Sequence, residues 1–199
     1  MTERIRARRI RDRATRYADH GWPVAPLAVP RHGFCACGRS GCVDPHLVGD
    51  VMTSTAAQAE AIWSEHPWDI ALVTAHVDVI DVPARFGSPL HQLLKTSCPT
   101  AMAPVDRRWL FFLVPGSLDR SLLSSAGGLL HSGTGGWVPA PGTVTDSTGR
   151  IRWLVHPHLT AWRPYQRRDP IDTVFSTVDW SAPDAPQPEL PRIVDAALG

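Results

Sequence analysis

The sequence predicts an α+β fold, a single domain in which helices flank an antiparallel or mixed β-sheet. Two segments with apolar residues at helical spacing lie early in the chain, and β-branched and apolar runs follow them. Helical and extended segments that are mixed in this order are typical of α+β domains. The 199 residues are sufficient for one domain with a full hydrophobic core.

The first half of the chain is predicted to contain two helices. Apolar residues recur at helical spacing over residues 4–20, and Gly21 ends this helix. An extended run that contains two prolines follows, because the residue before a proline avoids the helical conformation. A second helix is predicted over residues 53–67, with Thr53 or Ser54 as the N-cap.

The second half of the chain is predicted to be mostly β-structure, interrupted by a short helix at residues 86–97. The predicted strands cover residues 70–82 with a turn near Ala75–His76, residues 108–116 buried on both faces, residues 127–144 with a glycine-rich turn, and residues 151–157. Residues 142–150 are predicted to form a hairpin turn. The domain is expected to span residues 1–165. A C-terminal extension, 166–199, follows it, with a flexible proline-rich segment at 181–191 and a last short helix.

The charge of the chain is balanced overall but uneven along its length. The formal net charge is +1, which gives no global basic signature of nucleic-acid binding. The first sixteen residues nevertheless contain seven arginines and two acids, and Lys95 is the only lysine of the chain. Two interpretations remain open, namely a GC-rich coding sequence and a preference for bidentate contacts with phosphate.

The sequence predicts a cytoplasmic protein. No segment approaches the roughly 20 apolar residues that a membrane span needs. The basic N-terminus is not followed by the apolar region of a secretory signal. In the cytoplasm, clustered cysteines indicate metal ligands rather than disulfides.

Residues 34–47 form a cysteine-rich loop with the pattern C-x-C-x4-C-x3-H. The candidate metal ligands are Cys35, Cys37, Cys42 and His46. Zn²⁺ prefers four tetrahedral ligands of thiolate and imidazole type, and Gly38 and Gly41 let the backbone fold back toward the metal. Four protein ligands leave no open position for water, so the predicted zinc site is structural. The alternative is a mobile loop with fortuitous cysteines, while Cys98 is predicted to be a lone thiol.

Several motifs in a fixed order resemble a known family. They are "RYADHGWPVAPL" at 16–27, the cysteine loop, a helix that contains Trp63, a strand pair, and "GGWVPAPGTV" followed by "RWL". This order is similar to the N-terminal domain of bifunctional DNA primase–polymerases (prim-pol), within the archaeo-eukaryotic primase superfamily. The resemblance covers about residues 14–157, and it depends on the order and spacing of the motifs rather than on one of them.

The resemblance implies a prim-pol fold and a two-metal nucleotidyl transferase. Such an enzyme holds two divalent ions about 4 Å apart, one on the primer hydroxyl and one on the triphosphate. In the family, an Asp-x-Asp or Asp-x-Glu strand supplies two acids, and a third acid lies before the "GG" strand. A histidine on a later strand contacts the incoming triphosphate.

This sequence departs from the family pattern at three of the four expected catalytic positions. Asp81 matches the first acid, but Pro83 stands at the second position and Trp109 at the position of the histidine. The third acid is missing from its segment, where only His131 and Ser132 are polar. One carboxylate cannot position two Mg²⁺ ions, so the polymerase reaction is expected to be weak or absent. Asp81 equally fits a turn or capping role.

The first functional hypothesis is a catalytically degenerate module that binds nucleic acid or nucleotide. Phosphate contacts are expected from Arg85, Arg107, Arg108 and His131, together with arginines of the first helix. One or two of the many tryptophans would stack on bases. The alternative for these arginines is a solvated surface.

The second hypothesis is an active DNA primase or polymerase that uses Mg²⁺ or Mn²⁺. Asp81 would then act with acids outside the family pattern; the candidates are Asp78, Asp106 and Asp146, with His131 or His156. Residues three apart in a strand face opposite sides, which argues against Asp78. A second carboxylate within about 5 Å of Asp81 would favour this hypothesis.

The third hypothesis is a regulatory or protein-interaction scaffold, because a fold does not by itself fix a function. An exposed apolar patch around Trp109 and Phe111 would favour it. The protein partner in that case is not indicated by the sequence.

Overall fold

The computed structural model describes residues 3–31, 33–116, 118, 123, 127–167 and 171–172. Their helices are α1 (Glu3–Asp19), α2 (Ala56–Glu65) and α3 (Ala84–Leu94), with short 3-10 turns at Lys95–Ser97 and Pro157–Thr160. Their strands are β1 (Val24–Ala28), β2 (His46–Leu47), β3 (Asp69–Val73), β4 (Asp78–Pro83), β5 (Thr100–Ala103), β6 (Arg108–Leu113), β7 (Leu129–His131), β8 (Trp137–Pro139), β9 (Val144–Thr145), β10 (Gly149–Arg150) and β11 (Arg152–Val155).

The strands form two main sheets and a small hairpin. One sheet has the order β2-β1-β3-β8, the other has the order β11-β5-β6-β4-β7, and β9 pairs with β10. Every paired neighbour in these sheets is antiparallel. The prediction of an α+β fold with an antiparallel or mixed sheet is therefore confirmed.

The predicted elements of the first half are confirmed with shifted ends. The first helix ends at Asp19, and Gly21 follows it with a φ of +77°. The second helix is shorter than expected, and its N-cap is Thr55, whose hydroxyl accepts a hydrogen bond from the backbone N–H of Gln58 at 3.3 Å. Thr53, predicted as a cap, is buried and instead forms a β-bridge with Val24.

The long β-run at 70–82 is divided between the two sheets. β3 belongs to the four-stranded sheet and β4 to the five-stranded sheet, so the turn predicted near Ala75–His76 is confirmed. The chain crosses back between β7 and β8. Thr74 joins the two crossings, because its N–H donates to the Gly136 carbonyl at 2.9 Å and its hydroxyl donates to the Gly133 carbonyl at 3.0 Å.

The core lies on both faces of the five-stranded sheet. α1 packs against α2 and contacts β1 and β3 of the four-stranded sheet. The first core cluster, which includes Tyr17, Trp63 and Phe112, joins these helices and strands to one face of the five-stranded sheet. α3 covers the other face, where the second cluster includes Phe86 and Phe111. Each buried phenylalanine contributes about 1.5–3 kcal/mol by leaving water. β6 is thus buried on both faces, as the sequence predicts.

Some predicted features lie beyond these elements. The proline-rich segment at 181–191 and the last short helix fall outside the described residues. The hairpin predicted at 142–150 is confirmed by the pairing of β9 with β10. In the described part of the chain, no helix has the length and apolar character needed to cross a bilayer.

Candidate active site and metal centre

Asp81 lies on β4, an inner strand of the five-stranded sheet, next to the edge strand β7. It is paired with Leu110 of β6 on one side and with Leu129 of β7 on the other. Because side chains alternate along a strand, Asp81 shares a face with Val79, which belongs to the core under α1. Asp78 faces the other side, is 4% exposed, and accepts a hydrogen bond from the Gly116 N–H at 2.8 Å. Asp78 therefore does not join Asp81, as expected.

Arg108 holds the Asp81 carboxylate. Its Nε donates to Asp81 Oδ1 at 2.6 Å, and its Nη2 donates to the Asp81 carbonyl at 2.8 Å. Two longer contacts of 3.3 Å join the same guanidinium to the Gly127 carbonyl. The side chains are only 23% and 14% exposed, so the pair is partly shielded from water. The guanidinium thus places a positive charge directly beside the Asp81 carboxylate.

His131 lies on the other side of the Asp81 carboxylate. It stands on β7 opposite Val79, and its Nε2 is 3.7 Å from Asp81 Oδ2. This nitrogen is buried and makes no hydrogen bond to any described residue. The structure thus joins Asp81, Arg108 and His131 in one site.

Asp106 is an alternative acid that interacts electrostatically with Asp81. It lies in the turn between β5 and β6, just before Arg108. Partial desolvation and the negative charge of Asp81 raise the pKa of Asp106, while Arg108 opposes this shift. Within the described ranges, however, these groups form no compact cluster of three or more metal ligands.

The other sequence-predicted residues lie apart from this carboxylate. Trp109 faces α3, is 4% exposed, and packs beside His91 and Phe111. The side chain that shares the Asp81 face at this end of β6 is therefore Arg108, not the tryptophan. Phe111 is also fully buried, so the apolar patch that would favour an interaction scaffold is not exposed. Arg85 lies exposed on α3 over its neighbour Phe86, with 5.1 Å between the guanidinium and the ring centre.

Arg107 is exposed in the turn that leads into β6. Its φ of +54° is uncommon for a residue other than glycine. The ion pair between Arg108 and Asp81 was missed from the sequence. Position 108 was expected to contact phosphate, and only the pairing of Pro83 with Arg108 shows that it lies beside Asp81.

The cysteine loop gathers its four candidate ligands. One ligand atom from each of Cys35, Cys37, Cys42 and His46 lies within 4.8 Å of all the others. Gly38 and Gly41 have φ values of +75° and +70°, which lets the loop turn back on itself. Zn–S bonds of about 2.3 Å place tetrahedral sulfurs roughly 3.8 Å apart, so a small contraction would close the site. The residues therefore fit a metal ion, and β2 begins at the last ligand.

The local environment shifts the pKa values of two thiols in this loop. The backbone N–H of Arg39 donates to Cys37 Sγ at 3.4 Å and lowers the pKa of that thiol to about 7. Desolvation and the neighbouring thiols Cys35 and Cys37 raise the pKa of Cys42 to about 11. The loop therefore favours the thiolate of Cys37 and disfavours that of Cys42, and a bound divalent cation would stabilise both thiolates.

An antiparallel α+β domain with an acid on an inner strand and a Cys/His loop is the arrangement that is expected of a DNA primase/polymerase-like domain. The family model described as "Bifunctional DNA primase/polymerase, N-terminal" matches residues 14–172. The chain belongs to this Prim-Pol family, and the resemblance seen in the sequence is confirmed. Comparisons with curated proteins and with solved structures give no match.

Proposed function

We propose that this Prim-Pol domain is catalytically degenerate and binds nucleic acid or nucleotide. The observation that carries the proposal is the ion pair between Asp81 and Arg108, on a strand where Pro83 stands at the place of the second acid. A two-metal site needs several carboxylates to hold its ions. Here the first acid, Asp81, is paired with the Arg108 guanidinium, and Pro83 stands at the position of the second acid.

The ion pair opposes metal binding at Asp81. A hydrogen bond to a charged group contributes about 1.5–3 kcal/mol, and a metal ion would have to replace it. This corresponds to a roughly 10- to 150-fold weaker affinity for the metal. The approaching cation would also meet the positive charge of Arg108. The proposal therefore expects little Mg²⁺ or Mn²⁺ binding at this site.

The remaining groups suit phosphate rather than metal. Arg85 and Arg107 are exposed. The side chains of Arg108 and His131 lie beside the Asp81 carboxylate. Guanidinium groups bind phosphate in a bidentate manner and remain charged at every physiological pH. A bound phosphate would compete with Asp81 for Arg108. We therefore expect Arg85 and Arg107 to contribute more than Arg108 to phosphate binding.

Primer extension and de novo primer synthesis test the proposal. Wild type and Asp81→Asn are compared with Mg²⁺ and with Mn²⁺, and binding of a labelled oligonucleotide is measured by fluorescence anisotropy. We expect no synthesis by either protein but binding by both, with weaker binding by Arg85→Ala/Arg107→Ala. Synthesis that disappears in Asp81→Asn would refute degeneracy. An oligonucleotide and a nucleotide that both fail to bind would refute the binding role.

A second candidate, an active primase/polymerase, is favoured by one observation. Asp106 interacts electrostatically with Asp81, which raises its pKa, so a second carboxylate lies within electrostatic reach of the first. In that case Asp106→Asn would abolish synthesis as completely as Asp81→Asn does. Asp146→Asn serves as the control, because Asp146 lines a cavity with residues of the cysteine loop and not with Asp81.

We further propose that the cysteine loop holds a structural Zn²⁺. The proximity of three thiols and one imidazole supports this choice, since Mg²⁺ and Ca²⁺ prefer oxygen ligands. The thiols would need a reducing compartment, in agreement with a cytoplasmic location. We retain 166–199 as a C-terminal extension of the domain.

A further inference from the structure

A wide groove separates α1 from the segment that contains β10 and β11. Its volume is about 830 Å³, and five arginines line it: Arg9, Arg13, Arg16, Arg150 and Arg152. We name this cavity the α1 groove. None of Asp81, Asp106, Arg108 and His131 lines it, so the α1 groove is distinct from the site around Asp81.

The arginines of the α1 groove concentrate positive charge on one surface. Arg9, Arg13 and Arg16 are spaced by four and three residues, which places them on one side of the helix. Asp12 is the one acid in the lining, and it pairs with Arg8 and Arg11 at 3.7 and 3.9 Å. In a chain of net charge +1, this groove is strongly cationic.

The cationic surface continues along α1. A smaller cavity of about 150 Å³ shares Arg9 and Arg13 with the α1 groove and adds Arg6. The ten helical steps from Arg6 to Arg16 span about 15 Å at 1.5 Å per residue. At about 3.4 Å per phosphate along one strand, this length accommodates roughly four phosphates, and fewer if the strand is extended. A run of phosphates fits it better than a single phosphate.

Arg13 is held in place by the loop after β8. Its Nη1 donates to the Pro141 carbonyl at 3.0 Å. Gly142 has a φ of +102°, and a Cβ at this position would overlap the Arg13 guanidinium. The glycine therefore makes room for the arginine. A guanidinium fixed in this way loses little entropy when it binds an anion.

Aromatic rings line the same groove. Trp153 and Trp162 are half-buried there, so each ring keeps some exposed area. The Trp153 indole N–H donates to the Tyr17 hydroxyl at 2.9 Å. Trp162 stacks on His20 with 4.1 Å between ring centres and 14° between planes. Rigid, partly exposed rings beside cationic groups are the usual platforms for unpaired bases.

The backbone at Trp162 is strained. Ala161 and Trp162 have φ values of +51° and +62°, in the left-handed region that side chains other than glycine rarely adopt. Such conformations are energetically unfavourable and cluster at functional sites. The Trp162 carbonyl accepts a hydrogen bond from the Trp22 indole at 2.9 Å, which helps to hold this conformation.

We propose that the α1 groove binds single-stranded nucleic acid, with its arginines on consecutive phosphates and Trp162 stacked on a base. The strand must be single because a paired base is not available to the ring. Arg6, Arg9 and Arg13 precede the residues matched by the family model, whereas Arg16, Arg152 and Trp162 lie within them. The inference rests on the proposed function for the class of ligand, but it places the binding on different residues.

Fluorescence anisotropy with a labelled 12-nucleotide oligo-dT tests the proposal on the full chain. Arg16→Ala/Arg152→Ala removes two exposed arginines of the groove. We expect the Kd to rise roughly tenfold or more, since each arginine makes a charge-assisted contact. The slope of log K against log salt should fall by about 1.4, at about 0.7 per lost contact with a single strand. Arg4→Ala/Arg167→Ala is the matched control, with the same loss of charge at two exposed arginines outside the groove.

Trp162→Leu tests the stacking separately. We expect its affinity to fall about fivefold or more, and oligo-dT should quench the tryptophan fluorescence of the variant less than that of wild type. The melting temperature of each variant establishes that it is folded. A duplex of the same length should bind more weakly than the single strand, and duplex binding as tight as oligo-dT binding would overturn the single-strand assignment.

Variants of the Asp81 site separate this proposal from the proposed function. If Arg85→Ala/Arg107→Ala weakens binding and Arg16→Ala/Arg152→Ala does not, the groove proposal is wrong and the proposed function stands. If Arg4→Ala/Arg167→Ala weakens binding as much as Arg16→Ala/Arg152→Ala does, the loss of affinity reflects net charge alone and the groove proposal also fails. If neither oligonucleotide nor nucleotide binds to wild type, both proposals fail.

Discussion

The ion pair at the centre of the Asp81 site gives a direct test by protein stability. Asp81→Asn removes the charge but keeps the shape of the side chain. We expect this substitution to destabilise the protein, because the Arg108 guanidinium then lies partly buried without its counter-charge. In an active two-metal site the opposite is expected, because removal of an acid relieves repulsion between carboxylates.

The structure sets the magnitude. The lost contact is the 2.6 Å hydrogen bond from Arg108 Nε to Asp81 Oδ1. The bonds from the same guanidinium to the Asp81 and Gly127 carbonyls remain, so the cost stays near that of one charged hydrogen bond, about 1.5–3 kcal/mol. For a chain of this size, about 2–4 °C of melting temperature corresponds to 1 kcal/mol. The melting temperature should therefore fall by about 3–12 °C.

A double-mutant cycle in urea isolates the pair. The free energy of unfolding is measured for wild type, Asp81→Asn, Arg108→Gln and the double variant at pH 7. We expect a coupling energy of about 1–2 kcal/mol, with the double variant less destabilised than the sum of the single variants. A coupling near zero, or an Asp81→Asn protein that is more stable than wild type, would show that the pair is not a structural interaction.

Three further predictions concern other parts of the fold. Cys37→Ser should lower the zinc content from about one per chain to well below that, as measured by metal analysis of untagged protein, while Cys98→Ala should keep it. Stable wild type without zinc would contradict the proposed metal. Gly87→Ala should cost about 2 kcal/mol or more in urea unfolding, because a Cβ there would collide with the Trp109 side chain, whereas Gly135→Ala meets no atom within 4 Å and should change little. Burial raises the pKa of Cys98 from 9.0 to about 12, so the native state keeps a proton that the unfolded state releases. The stability conferred by this proton is present below pH 9 and is lost as the pH rises from 9 toward 12, and Cys98→Ala should make that decline shallower. An equally steep decline in Cys98→Ala would contradict this.

The elements that the sequence predicts best are those with a strong local pattern. α1 has apolar residues at helical spacing, and β6 is an almost continuous apolar run. The four metal-ligand candidates lie within thirteen residues, so chain connectivity alone keeps them near each other. β5 was missed, because "TAMA" is short and its small side chains give no alternating pattern of polar and apolar residues.

The candidate site is predicted less well, because it depends on strand register. The identity of the residue beside Asp81 follows from the pairing of β4 with β6, which joins residues 27 positions apart. A shift of one residue exchanges the two faces of a strand. That single step separates Arg108, which reaches the carboxylate, from Trp109, which packs under α3. The α1 groove likewise joins residues more than 130 positions apart, such as Tyr17 and Trp153.

The two crossings of the chain at Thr74 have a consequence for how the molecule opens. The segments β3–β4 and β7–β8 each contribute one strand to each of the two sheets. Hydrogen bonds from Thr74, between β3 and β4, join it to the connection between β7 and β8. Neither sheet can then separate without breaking these hydrogen bonds and exposing the core between them. Amide hydrogens of β3 and β4 should therefore exchange with deuterium at similar, slow rates, as members of one cooperative unit rather than two. The paired residues of β2, at the outer edge and next to the cysteine loop, should exchange earlier.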